Sequence, residues 1–282
     1  MAFIALMMTL SASAQFYIYC KDGSVIVVDS ISMIAPAEPV QGLFSVSYSK
    51  QVTFSPGNLQ YNPANNEWRF ADNQTDYIGD ANANISSTYN GWIDLFGWST
   101  AATNFGVSTS TDADDYSVSF VDWGSNKIGN DAPNTWRTLT NEEWDYLLKA
   151  RNNASSLVGI AQVNGVNGLI FLPDNWTCPA GVTFKSGFHS SDGIEYYAIQ
   201  QTITDEQWSK LEKVGAVFLP ATGVRNGSNL YVISESGFYW SSSRFEVTNV
   251  NAYYFVFSSD TIATDGRGVP YYGMNVRLVK DL

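Results

Sequence analysis

Most apolar positions of this chain fall in short runs closed by Gly, Asn, Asp, Ser or Pro, the pattern of strands and turns. Residues 16–34 read as two strands around Lys21-Asp22-Gly23, a hairpin signal. The stiff Ala35-Pro36-Ala37-Glu38-Pro39 follows, and a boundary is expected near Gly42. Val46, Tyr48, Val52 and Phe54 predict an opening strand that ends at Ser55-Pro56-Gly57, and Tyr61, Trp68 and Phe70 flank a turn near Asn62-Pro63. Between Asp80 and Asp131 the chain is rich in Gly, Ser, Asn, Asp and Thr, with Trp92, Phe96, Trp98, Phe120 and Trp123 set among them. That spacing predicts ordered loops.

Two segments carry the helical signature. Thr140-Asn141-Glu142-Glu143 is a capping box that opens a helix with Trp144, Leu147 and Leu148 on one face. Thr204-Asp205-Glu206-Gln207 repeats it, with Trp208 and Leu211 inward and Gly215 as the stop. Strands return at Ala216–Leu219, Tyr239–Ser242, Ala252–Phe257 and Asn275–Val279, with turn-rich stretches at Arg225–Asn229 and Asp260–Gly268. In the tail Trp240, Ala252, Phe255, Phe257, Val276 and Leu278 recur as core-facing positions should, and Gly237 and Gly273 suit backbone turns. Two helices among short strands make an α+β domain.

The first fourteen residues, MAFIALMMTLSASA, are an apolar run ending in small residues. They predict a secretory signal peptide over 1–14 with Gln15 as the first mature residue; no basic n-region is present, which leaves a truncated start or a buried N-terminal strand as the alternatives. The run is too short to span a membrane. Residues 15–42 are then a hairpin and linker, and 43–282 the main domain. The formal net charge is −12, from 15 basic and 27 acidic residues, which would repel a phosphate backbone and excludes nucleic acid as a partner. Two cysteines, Cys20 and Cys178, are too few for a disulfide framework. Aromatics reach 15%, and Tyr and Trp give wide contact area at little entropic cost, so this abundance suits a binding surface as well as a core.

Some segments are similar to known families. Trp136-Arg137-Thr138-Leu139-Thr140-Asn141-Glu142-Glu143-Trp144-Asp145-Tyr146 resembles the helix entry of formylglycine-generating-enzyme-like domains. Gly237-Phe238-Tyr239-Trp240-Ser241-Ser242 and Gly273-Met274-Asn275-Val276-Arg277-Leu278-Val279 resemble the closing strands of the Fibrobacter succinogenes major paralogous domain. Lys21-Asp22-Gly23-Ser24 is similar to N-terminal segments of exported Bacteroidetes proteins. Both domain families imply a C-type-lectin-like fold over roughly 44–282, with two helices, short antiparallel strands and long ordered loops. The tail is most similar to the variable proteins of diversity-generating retroelements, in which a C-terminal repeat is rewritten at adenine positions on the ligand-binding face. Asn249, Asn251, Tyr253, Tyr254, Asp260, Asp265, Tyr271 and Tyr272 have that character, and equally that of ordinary polar loops.

The formylglycine-generating family works through a C-terminal cysteine pair that binds copper. No cysteine follows Cys178, so that activity is not carried over. His189 is the sole histidine, which disfavours a triad or a histidine metal site. Asp112-Ala113-Asp114-Asp115 lacks the glycine and distal glutamate of a calcium loop. Glu142, Glu143 and Asp145 fit capping and the helix dipole, and Arg277 in an apolar strand is expected to pair with a carboxylate or carbonyl groups inside the scaffold.

The expectation is an exported, non-enzymatic binding protein without cofactor or metal. It recognises a macromolecule, protein or glycan, through a surface at about 234–282. The expected contacts are Arg244, Phe245, Asn251, Tyr253, Tyr254, Asp260, Arg267, Tyr271 and Tyr272. A structural surface or appendage subunit, or a carbohydrate-active enzyme or lectin, are the alternatives.

Overall fold

The computed structural model describes residues 16–19, 25–28, 42–101, 104–116, 119–186, 201–245, 251–259 and 261–282. Two compact units result, Met1–Pro39 and Val40–Leu282. The first holds an antiparallel hairpin, β1 (Phe16–Tyr19) and β2 (Val25–Val28), with Phe16 opposite Val28. Its expected turn and the expected signal peptide lie outside the described residues, as do Cys20 and His189.

The second unit opens with β3 (Phe44–Ser45) and β4 (Gln51–Phe54), then the hairpin β5 (Leu59–Asn62) and β6 (Glu67–Phe70). Short 3-10 turns punctuate the loops up to β7 (Arg137–Thr138). Next come α1 (Asn141–Asp145), which runs on as a π-helical turn over Tyr146–Ala150, and the hairpin β8 (Val158–Val163) and β9 (Val166–Phe171). After β10 (Thr202–Ile203) lie α2 (Asp205–Lys213), β11 (Val217–Pro220), β12 (Val224–Asn226) and β13 (Asn229–Tyr231). The chain ends with β14 (Gly237–Phe245), β15 (Asn251–Phe257), β16 (Ile262–Gly268) and β17 (Leu278–Asp281). The unit is α+β, as its sequence pattern predicts.

The sheet order β3-β4-β17-β7 places the last strand beside the opening pair, with Val279 opposite Phe54, so the unit closes on its own ends. Arg137 locks this closure. Its guanidinium makes a forked pair with Glu143 (2.6 and 2.8 Å) and a further bond to Asp281 (2.8 Å), joining β7, α1 and β17. A second sheet, β10-β8-β9-β11, packs Ala161, Ile170 and Phe218 against Trp208 and Leu211 of α2. The third sheet, β14-β15-β16, is antiparallel and lies between two cores. Tyr239, Phe255 and Phe257 face α1, where Trp144 stacks on Phe255 at 4.9 Å and 9°. Trp240 and Ala252 face the aromatics of the long loops, Trp68, Phe96, Trp98 and Trp123.

Both capping boxes form as the sequence predicts, at Thr140/Glu143 and Thr204/Gln207, and Gly215 ends α2 at φ +87°. The six core-facing tail positions are all buried. Several expectations change, among them the strand expected over Asn275–Val279, which begins only at Leu278. The opening strand is broken by a turn in which Val46 N donates to Lys50 O, leaving Tyr48 97% exposed. The 158–171 hairpin was not among the expected elements, although Asn164-Gly165 takes positive φ at both positions, as its tight turn requires. The stretch Asp260–Gly268, expected as turn, is largely β16. Gly237 does not turn the chain either: it sits in β14, where a Cβ would enter the Phe257 ring. A Cβ on Gly273 would likewise meet the Arg225 side chain, and the backbones of these two bond reciprocally (2.9 and 2.8 Å).

The long loops are ordered by buried polar groups. Asp94 accepts from Ile78 N (2.9 Å) and Asn82 Nδ2 (2.8 Å), and Asn82 Oδ1 accepts from the backbone of Asp94 and Leu95. Trp98 Nε1 donates to Ser241 O and Trp240 Nε1 to Phe96 O, tying the loops to β14. Burial pushes Asp94 from 3.8 up to about 6. The native state therefore binds this proton more tightly than the unfolded chain, and stability rises as pH falls from above about 6 towards 4, by up to about 3 kcal/mol. Burial also raises Asp122, with the same sign. Glu143 and Asp281 act oppositely. Burial pushes each carboxyl up, but Arg137 and Lys50 hold both below the ordinary range, so their contribution is lost in acid. The expected melting temperature climbs from pH 7 to about 5 and falls below about 4. Asp94→Asn should flatten most of that climb. An unchanged pH profile in calorimetry would refute the assignment.

Candidate functional site

Directly paired residues of a sheet share a face, so the register of β14-β15-β16 sorts the predicted contacts. Phe245 pairs with Asn251, and Tyr253 pairs with Arg267. Their side chains meet: the Phe245 and Tyr253 rings are 5.5 Å apart at 89°, and the Arg267 guanidinium lies 4.2 Å from the Phe245 centroid and 5.9 Å from that of Tyr253. Phe245, Asn251 and Tyr253 are half-buried and Arg267 is exposed. No carboxylate among the described residues pairs with Arg267, whose charge rests on the two rings.

This cluster continues the face that carries Phe255 and Phe257, beyond the helix that covers them. The N-terminus of α1 borders it. Asn141 N donates to Ser243 Oγ (2.9 Å), and Ser243 Oγ lies 3.5 Å from Glu142 Oε2. Asn141 Oδ1 and Asn251 Oδ1 are both buried and find no hydrogen-bond partner among the described residues.

The other expected contacts do not join this cluster. Trp240 pairs with Tyr254 and Tyr254 with Gly266, on the opposite face. The Tyr254 ring is set against Phe238 (5.7 Å) and Trp240 (6.1 Å), and a Cβ at Gly266 or Gly268 would run into it. Burial pushes its phenol up, so it is a packing residue. Tyr272 joins that same core, and Tyr271 lies between Tyr272 (5.2 Å) and Tyr116 of the long loops (6.5 Å). Arg244 pairs with Ala252, on this second side of the sheet. Asp260 lies outside the described residues.

Period two along the strand already separates Tyr253 from Tyr254, and that signal was available in the sequence. The border residues Asn141 and Ser243 were not legible there, because only folding brings residues a hundred positions apart to one corner. Arg277 finds side-chain amide oxygens, Gln74 Oε1 at 2.6 Å and Asn58 Oδ1 at 3.5 Å, and no carboxylate. In the 112–115 segment Asp112 caps Asp114 N, and Ser110 Oγ binds Asp115. Among the described residues no group of three or more His, Cys, Asp or Glu is placed to hold a metal ion, and no helix is long and apolar enough to cross a membrane. No family model, no curated protein and no solved structure matches the chain.

Proposed function

We propose that this chain is an exported, non-enzymatic binding protein with a C-type-lectin-like fold. It recognises a macromolecular ligand, protein or glycan, through the Phe245–Asn251–Tyr253–Arg267 face. The observation that carries this reading is the half-open ring pair under an arginine that pairs with no carboxylate among the described residues. Aromatic and arginine anchors of this kind dominate interface energetics. Two helices, short antiparallel strands, long ordered loops and a domain closed by its own ends support the fold assignment. The apolar N-terminal run supports export.

The test is binding to a panel of glycans and surface proteins. Tyr253→Ala with Arg267→Ala should weaken a captured ligand by about 2 kcal/mol or more, roughly thirtyfold. Tyr271→Ala with Tyr272→Ala should change affinity far less. Equal losses from both pairs would remove the site assignment, and turnover of a panel glycan would overturn the non-enzymatic reading. The resemblance to variable proteins extends the proposal to a diversified surface. A neighbouring reverse-transcriptase gene and a second copy of the coding segment differing only at adenines would establish that, and their absence would leave a receptor of fixed specificity.

A further inference from the structure

The turn that follows β13 carries four consecutive apolar residues, Leu230-Tyr231-Val232-Ile233, and the central two face solvent, Tyr231 at 50% and Val232 at 39% exposure. Val232 also holds φ +50°, a left-handed conformation that a β-branched residue rarely adopts. Hydrogen bonds to neighbouring segments impose it. Val232 O accepts from Glu235 N and Ser236 N (both 3.1 Å), and Ser234 N donates to Ala221 O (2.8 Å). Gly223 N donates to Ser236 O (2.8 Å), and Asn167 Nδ2 to Ser234 O (2.8 Å). Asparagine or glycine would take this conformation at less cost. A valine side chain partly open to solvent gains little burial in return, so folding alone gives no reason for it.

The surroundings enlarge the apolar spot. Tyr77 bonds Ser234 through its hydroxyl (3.0 Å), and Tyr77 and Ile78 are half-buried. The 3-10 turn Gly79–Asn84 packs beside β13. The rim is acidic: Asp80 and Glu235 are exposed, and no Lys or Arg lies between Arg69 and Lys127 or between Arg225 and Arg244. An apolar centre inside a charged rim matches a protein-docking surface, and the sign of the rim selects the partner. A second copy would set acid against acid, and an anionic membrane would be repelled.

We propose that the Tyr231–Val232 turn is a docking knob for a protein partner whose apolar site is rimmed by Lys and Arg. The knob stands at the Gly237 end of β14, and the ring cluster lies at the Phe245 end of this nine-residue strand, so the proposal does not rest on the ligand reading.

The test is a random-peptide display selection on the immobilised full chain, with the selected peptides then measured free by fluorescence anisotropy. At least one class should combine an apolar centre with Lys or Arg and bind more weakly as salt rises. Val232→Asn and Tyr231→Ser should each weaken that class at least about tenfold, and Asp80→Lys with Glu235→Lys should do the same. Val232→Asn should meanwhile keep or raise the urea midpoint, because asparagine tolerates the left-handed conformation. A side chain that serves packing would lower it. No selected class sensitive to Val232→Asn, a sensitive class without basic residues, or a lowered midpoint would each overturn the proposal. Self-association in sedimentation velocity that Tyr231→Ser abolishes would overturn it in favour of a second copy.

Discussion

Gln74→Ala is expected to destabilise the second unit by about 3 to 5 kcal/mol, the cost of stripping the partner from a buried charge. Arg277 is 1% exposed, and burial pulls its guanidinium down to about 10. Gln74 Oε1 accepts from Arg277 Nη2 at 2.6 Å and from Phe218 N at 2.9 Å. Its Nε2 donates to Glu212 Oε1 (3.0 Å) and Ala216 O (3.1 Å), so one side chain joins the residue just before β17, β11 and the C-terminal turn of α2. Without it, Arg277 keeps only the long contact to Asn58. Arg277→Met should cost less than Gln74→Ala, because it removes the charge together with its need for partners. Urea unfolding of both variants checks this. An Arg277→Met protein less stable than Gln74→Ala would show that the pair is net stabilising and that desolvation is the smaller effect.

Trp144→Ala should cost about 3 to 5 kcal/mol and is the second large effect. Trp144 is 1% exposed and stacks on Phe255, with Phe54 at 6.1 Å and Phe171 at 6.3 Å. It joins the closing sheet, the second sheet and the tail sheet, so the void has no single neighbour able to fill it. Its Nε1 is buried and has no hydrogen-bond partner among the described residues. Trp144→Phe keeps a ring on Phe255 and removes that unpaired donor, so its expected cost is about 1 to 2 kcal/mol. Midpoints from denaturant unfolding that put Phe and Ala at the same stability would contradict this account of the stack.

Particular elements show which information is local. The capping boxes at Thr140 and Thr204 use residues three apart, so their sequence is sufficient to place both helix starts. Buried positions such as Trp240 and Phe255 likewise follow from strand alternation. β16 was hidden because Gly266 and Gly268 read as turn residues, whereas their cause is a ring on the neighbouring strand. Tyr48 misled in the opposite direction, being an apolar residue in a turn and fully open to solvent.

The binding face divides in the same way. A tail rich in aromatic and polar residues is visible in the sequence, and its alternation assigns Tyr253 and Tyr254 to opposite sides. Cross-strand register alone decides that Phe245 and Arg267 meet Tyr253 while Tyr271 and Tyr272 do not. The sequence by itself determined the α+β class, the helix starts and the core stripes, because those depend on neighbours within a turn or a strand. The tertiary structure decided the partners of Arg277 and the corner shared by α1 and β14. Each of these is set by contacts between distant residues, which local pattern does not encode.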